Sequence, residues 1–190
     1  MPRKGLEYMP KIELAVETKN SIDLKKIQKL MTQANASVLV GFPSGQVHIE
    51  AVHKDTGKRD RDGNVKYTGG SKVSIKNGKT VETSELAKEL HYGSSRVPSR
   101  PFLEEGIESE AEKIKNVIGG ELKKETDGGK ANWGKVGAVA VGAVQEFVRG
   151  DYYKNTVPNS PKTIERKGSD KPLIDSGNLI SQIQFVVEKS

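Results

Sequence analysis

An α+β fold is what this sequence predicts: a small antiparallel sheet flanked by two longer helices, with a projecting basic β-hairpin. Three observations carry that expectation. Residues 46–52 alternate, with Val47, Ile49 and Ala51 on one face, as a half-buried strand does. Asn77 and Gly78 lie between the strand-like runs 73–76 and 79–82, and both tolerate the positive φ of a two-residue hairpin turn. Leu103, Ile107, Ala111, Ile114, Ile118 and Leu122 recur at intervals of three and four, which is helical spacing. The chain of 190 residues reads as one domain, 1–190, with a basic loop and hairpin insert at 54–82.

The elements follow in order. A first helix is expected over 22–33, capped by Ser21, with Leu24, Ile27 and Met31 as its apolar stripe. Residues 38–42, Val-Leu-Val-Gly-Phe, read as a buried strand, and Pro43-Ser44-Gly45 turns the chain. Residues 53–70 are polar and glycine-rich without a sustained period, so they read as a loop. The hairpin after them places Lys76 opposite Lys79, a like-charge pair that water or an anion must relieve. Thr83 or Ser84 is expected to cap a short helix with Leu86, Ala87 and Leu90, which Gly93 ends.

Pro98 and Pro101 force extended or turning backbone. Ser99 is then the expected cap of one long helix bearing the Leu103 to Leu122 stripe, with Pro101 in its first turn. Glu104 and Glu105 at its start, and Lys123 and Lys124 at its end, suit the helix dipole. Asn132 is placed to cap another helix running to about Arg149, in which Gly134, Ala138 and Gly142 share a face that would allow close approach. Ser160-Pro161 opens a short helix ended by Gly168, Asp175 or Ser176 caps a turn with Leu179, and 183–187 is the last strand.

Composition limits the chemistry. Hydrophobic residues make up 34% of the chain and charged residues 29%, with a mean hydropathy of −0.60. A core built from so polar a chain is modest, which favours help from neighbouring subunits. Cysteine is absent, which rules out disulfides and thiolate zinc sites. No apolar run approaches the length of a membrane span, and no apolar stretch follows the basic Met1–Gly5 segment as in a signal peptide. The expectation is a soluble protein made in a cytoplasm.

No catalytic constellation emerges. His48, His53 and His91 lack zinc-ligand spacing. The run 60–64 lacks the bidentate glutamate of a calcium loop. Gly119-Gly120 and Gly128-Gly129-Lys130 lack the full phosphate-loop pattern. No cofactor, metal or catalytic residue is expected.

Charge is placed unevenly. The chain carries +6, and 54–79 holds eight bases (Lys54, Lys58, Arg59, Arg61, Lys66, Lys72, Lys76 and Lys79) against three acids, a local net of +5. Such a field attracts nucleic acid or an acidic partner, although a solvated loop fits the run equally. A basic ribbon could touch phosphates without reading bases.

Two stretches carry a resemblance. One is Glu85-Leu86-Ala87-Lys88-Glu89-Leu90-His91-Tyr92-Gly93 followed by Val97-Pro98-Ser99-Arg100-Pro101-Phe102-Leu103. The other runs from Pro158-Asn159-Ser160-Pro161-Lys162-Thr163-Ile164 to Lys167-Gly168-Ser169-Asp170-Lys171-Pro172-Leu173-Ile174-Asp175-Ser176-Gly177-Asn178-Leu179. Together, in this order and spacing, they resemble the neck or tail-completion (head–tail connector) proteins of tailed bacteriophages, including the Mu-like virion-morphogenesis group. His91-Tyr92-Gly93 departs from that family's Glu-Phe-Gly, and the insert at 54–79 is longer than the family pattern.

The resemblance implies a virion protein, assembled in the host cytoplasm, that is not an enzyme. It would form a homo-oligomeric ring, expected to be six-fold, between the portal and head-closure proteins and the tail terminator or tail tube, with DNA passing through its lumen. Arg100 is expected to fix the start of the following helix through carbonyls or acids, and Phe102 to enter the core. Lys171, Pro172, Leu173, Asp175 and Leu179 are the expected docking segment, with Leu173 as its anchor. A folded-back surface loop is the alternative reading of that segment. A DNA-contacting accessory protein, acting through the basic arm 54–79, is the alternative function.

Overall fold

The computed structural model describes residues 36–59, 65–76 and 79–189. The helix expected over 22–33, Arg61 and the turn residues Asn77 and Gly78 lie outside the described residues. In chain order the strands are β1 (Ala36–Gly41), β2 (Ile49–Arg59), β3 (Val65–Val73), β4 (Ile75–Lys76) and β5 (Lys79–Thr80), with β6 (Gln184–Lys189) after the helices. The helices are α1 (Thr83–Tyr92), α2 (Phe102–Ser109), α3 (Ala111–Thr126), α4 (Trp133–Arg149), α5 (Tyr152–Thr156), α6 (Pro161–Lys167) and α7 (Asn178–Ser181). The fold is α+β, and its strands pair as three antiparallel two-stranded ribbons, β1 with β6, β2 with β3 and β4 with β5.

The chain divides into two compact units. The first contains the described residues 36–44, Pro101–Phe147 and 183–189. Its ribbon pairs Val38 with Val187 and Val40 with Phe185. Val38, Leu39, Val40 and Phe42 are all buried, so β1 is covered on both faces, as an uninterrupted apolar run requires. Phe102, with 0% exposure, meets Phe42 edge-on at 6.2 Å between ring centroids, in the core position expected of it.

The stripe from Leu103 to Ile118 is buried as predicted, but on two helices rather than one. Glu110, at φ −118° and ψ 24°, breaks the helix, and the Ser109 hydroxyl turns back to donate to the Gly106 carbonyl at 2.7 Å. Side-chain spacing survives the break, which is why the pattern reads as continuous. Pro101, not Ser99, occupies the N-cap of α2; the Ser99 hydroxyl instead donates to the His91 carbonyl at 2.7 Å.

Close approaches in this unit fall on glycines other than those expected. A Cβ on Gly106 would lie 2.7 Å from the Cα of Val144, and one on Gly137 would lie 2.2 Å from the Phe185 ring. Ala138 and Gly142 are exposed, and Gly142 has open space around it, so the predicted Gly134–Ala138–Gly142 face makes no close helix contact along its length.

The second unit contains Gly45–Arg100 and Val148–Gln182, less the undescribed residues. Much of the predicted loop 53–70 is strand: His53 pairs with Gly69, Lys54 with Thr68 and Asp55 with Tyr67, with a register shift between Asp55 and Arg59. β4 and β5 take the expected register, Lys76 opposite Lys79. His48, Ser74 and Val81 join these ribbons through main-chain bonds of 2.9–3.0 Å. No side chain caps α1, whose N-cap is Glu82 rather than Thr83 or Ser84. Gly93 ends it at φ +79°, where a Cβ would also sit 2.8 Å from the Ser99 nitrogen, so glycine is required. α6 is built as predicted, with the Ser160 hydroxyl accepting from the Thr163 N–H, Pro161 in its first turn and Gly168 at φ +64° closing it. Among the described residues no helix is long and apolar enough to cross a membrane.

Candidate functional site

Arg100 organises the second unit. It stands between Pro98 and Pro101, in a segment that folds back after α1 so that the Arg100 N–H reaches the Leu90 carbonyl at 3.0 Å. Arg100 is 4% exposed, and its guanidinium donates to the Val157 carbonyl from Nε at 3.0 Å and Nη2 at 2.9 Å, and to the Pro158 carbonyl at 3.2 Å. Carbonyls rather than acids therefore hold it. Burial pushes the guanidinium below its ordinary value, yet arginine remains charged. The side chain ties the stretch 85–103 to the start of the stretch 158–179, gripping Val157 just before it and Pro158 at its first position.

The segment expected to dock a partner is folded inward. Lys171 donates to Asp151 Oδ1 at 2.6 Å and to the Arg149 carbonyl at 3.2 Å, and the neighbouring Lys154–Asp170 pair closes at 2.8 Å. The contacts with Lys171 hold the Asp151 carboxyl below its usual range. Pro172, Leu173 and Leu179 are buried. Leu173, 9% exposed and at φ +61°, is thus a core residue in a left-handed backbone and not the surface anchor the sequence suggested. Asp175 and Ser176 are the exposed positions. Ser176 Oγ donates to the Ile49 carbonyl, and Asn178 Oδ1 accepts from the Ile49 N–H at 2.9 Å, so the segment is fastened to the edge of β2.

The basic residues sort differently from their sequence order. Lys54, Lys58 and Arg59 lie on β2, and Lys66 and Lys72 on β3, which places them on one ribbon; Lys76 and Lys79 belong to the next. Lys72 pairs with Glu50 at 3.6 Å and Lys76 with Glu89 at 3.4 Å. Both acids fall outside the 54–79 window, so a count along the chain overstates the local positive field.

Between β2, α1, α6 and the 173–179 segment lies a cleft of about 480 Å³ within the second unit. Leu86, Leu90, Leu173 and Leu179 supply its apolar lining, and Lys72, Arg100, Arg166 and Lys167 its cations. Lys167 is only 8% exposed and donates to the Lys171 carbonyl at 2.9 Å. Burial pushes its ammonium below its ordinary value; Asp175 opposes the effect, and Arg166 and Arg100 add to it. His48 also lines the cleft, and burial lowers its imidazole against the pull of Glu50, Asn178 and Asp175. Sequence reading missed this cleft because its residues come from six separated segments. The one available signal was the run Arg166-Lys167 just inside the predicted end of a helix.

Among the described residues no three His, Asp or Glu side chains are grouped to hold a metal. Compared with protein-family models, curated proteins and solved structures, the chain finds no match.

Proposed function

We propose that this chain is a structural, non-enzymatic subunit of a tailed-bacteriophage virion, forming a ring in the neck that joins the portal and head-closure proteins to the tail. The observation that carries the reading is the Arg100 clasp. The two stretches that resemble neck proteins are far apart in sequence, yet a single buried guanidinium in one is held by the carbonyl of Pro158, the first residue of the other, and by that of Val157 just before it. Resemblances confined to unrelated surface segments would have no reason to interlock. The second stretch is further tied to β2 through Ser176 and Asn178, so both contribute to one folded unit.

Edge strands add support. Ile75 is 67% exposed on the two-residue strand β4, the kind of apolar edge position that a neighbouring subunit covers. Electron microscopy of the purified chain mixed with its head-closure and tail partners tests the proposal. Rings seated at the head–tail junction are expected; a monomer that joins neither partner rejects it.

A second reading, a DNA-contacting accessory protein, is favoured by the placement of Lys54, Lys58, Arg59, Lys66 and Lys72 on one ribbon. It predicts duplex binding by the isolated chain that weakens steeply between low and physiological salt, as released counterions require.

A further inference from the structure

The cleft of the second unit has a charge balance that the neck reading does not use. Glu50 is occupied by the Ser74 hydroxyl at 2.6 Å and by Lys72 at 3.6 Å, so that acid and that lysine offset each other. Arg100, Arg166 and Lys167 then face Asp175 as the other acid of the lining. Arg100 and Lys167 are more than nine-tenths buried, and their hydrogen bonds among the described residues go to main-chain carbonyls, which offer partial charges rather than a full negative one. Two desolvated cations beside a third are costly unless an opposite charge is near. Burial first, and Arg166 and Arg100 to a smaller extent, push the Lys167 ammonium below its ordinary value, with Asp175 opposing them.

We propose that this cleft is a binding site for a small oxyanionic ligand, a carboxylate or phosphate group carried on an apolar body. Arg166, exposed on α6, makes the direct contact, while Arg100 and Lys167 supply the field. A planar guanidinium suits the paired oxygens of either group. The four leucines of the lining would cover the ligand's carbon skeleton, and about 480 Å³ lies within the size range of small-molecule sites. Duplex DNA fits less well. Its phosphates lie on a broad convex surface, whereas this lining combines leucines with an acid.

The test uses the full chain, titrated calorimetrically with inorganic phosphate and, separately, with glutarate, against sodium chloride at matched ionic strength. Saturable binding of at least one probe, weakened about tenfold or more in Arg166→Gln and partly restored in Arg166→Lys, is expected from loss of one charge-assisted contact. A preference for phosphate or for glutarate identifies the headgroup. Responses to both probes no greater than that to sodium chloride overturn the proposal. So does undiminished affinity in Arg166→Gln, whose fold circular dichroism verifies. The neck reading is untouched by either result, since ring assembly is measured independently.

Discussion

Arg100 shows how one buried charge can govern a unit while touching only backbone. Replacing it with alanine leaves the carbonyls of Val157 and Pro158 without their donor and opens a cavity beside them. A loss of roughly 2–4 kcal/mol is expected in urea unfolding, and Arg100→Lys should recover little because a point charge cannot span both carbonyls. Leu173 belongs to the same scale. Its burial makes Leu173→Asp a folding defect, so soluble, natively stable Leu173→Asp protein would contradict the core role described here. The role of Arg100 was half-legible in the sequence; that of Leu173 was not. The proline-flanked arginine pointed to a carbonyl or acid partner, but which one depends on a contact between residues 57 positions apart. Nothing local marks Leu173 as inward-facing, because the left-handed backbone that turns it is unusual for leucine.

At the scale of the element, two glycines on α4 make opposite predictions. Gly142 sits in open space, and Gly142→Ala should stabilise the protein by up to about 1 kcal/mol through helix propensity alone. Gly137 lies under the Phe185 ring, and Gly137→Ala should destabilise by about 1–3 kcal/mol as the ring is pushed off β6. Thermal melts of the two variants check both signs, and a shift in the same direction for both would refute the packing. Helical stripes were legible because their spacing is local; periodicity named five of the eight buried positions of α2 and α3, Leu103, Ile107, Ala111, Ile114 and Ile118. Glu121 was not among them. It stands 1% exposed where the stripe approaches Leu122, accepting from the Asn132 N–H at 2.9 Å and from Lys124 Nζ at 2.6 Å. Its purpose is to close the loop before α4, and that depends on a residue eleven positions away in sequence rather than on helical phase. The β2–β3 ribbon was missed for a different reason. Its glycine-rich, polar sequence carries no alternation, and only pairing across the ribbon makes it strand.

For the whole molecule, acid should be destabilising through both units. Bonds from Lys124 and the Asn132 N–H hold the Glu121 carboxyl below its ordinary 4.5. A depressed carboxyl contributes stability above its unfolded value and loses it as pH falls through the folded one. His91 acts in the same direction, since burial pushes its imidazole down to about 4 from 6.5. The unfolded chain binds that proton first, so stability is complete above pH 6.5 and declines as pH falls toward 4. Urea midpoints at pH 7.5, 5.5 and 4 should decrease in that order, and an NMR titration should find the His91 ring neutral at pH 5.5. A His91 ring that titrates near 6.5 would remove the buried setting from the account. The α+β class was legible at this scale; the division into two units was not, because each is assembled from segments that the chain visits more than once.

The pairing of Ala36 with Lys189 has a consequence for biosynthesis. β1 emerges from the ribosome early, but its partner is among the last described residues to be made. Until translation reaches β6, Val38, Leu39 and Val40 have an open flank that chaperones or other nascent chains can occupy. Slow codons or a premature stop before Gln184 would therefore lengthen the aggregation-prone interval, and the yield of soluble protein should track how quickly the final strand arrives.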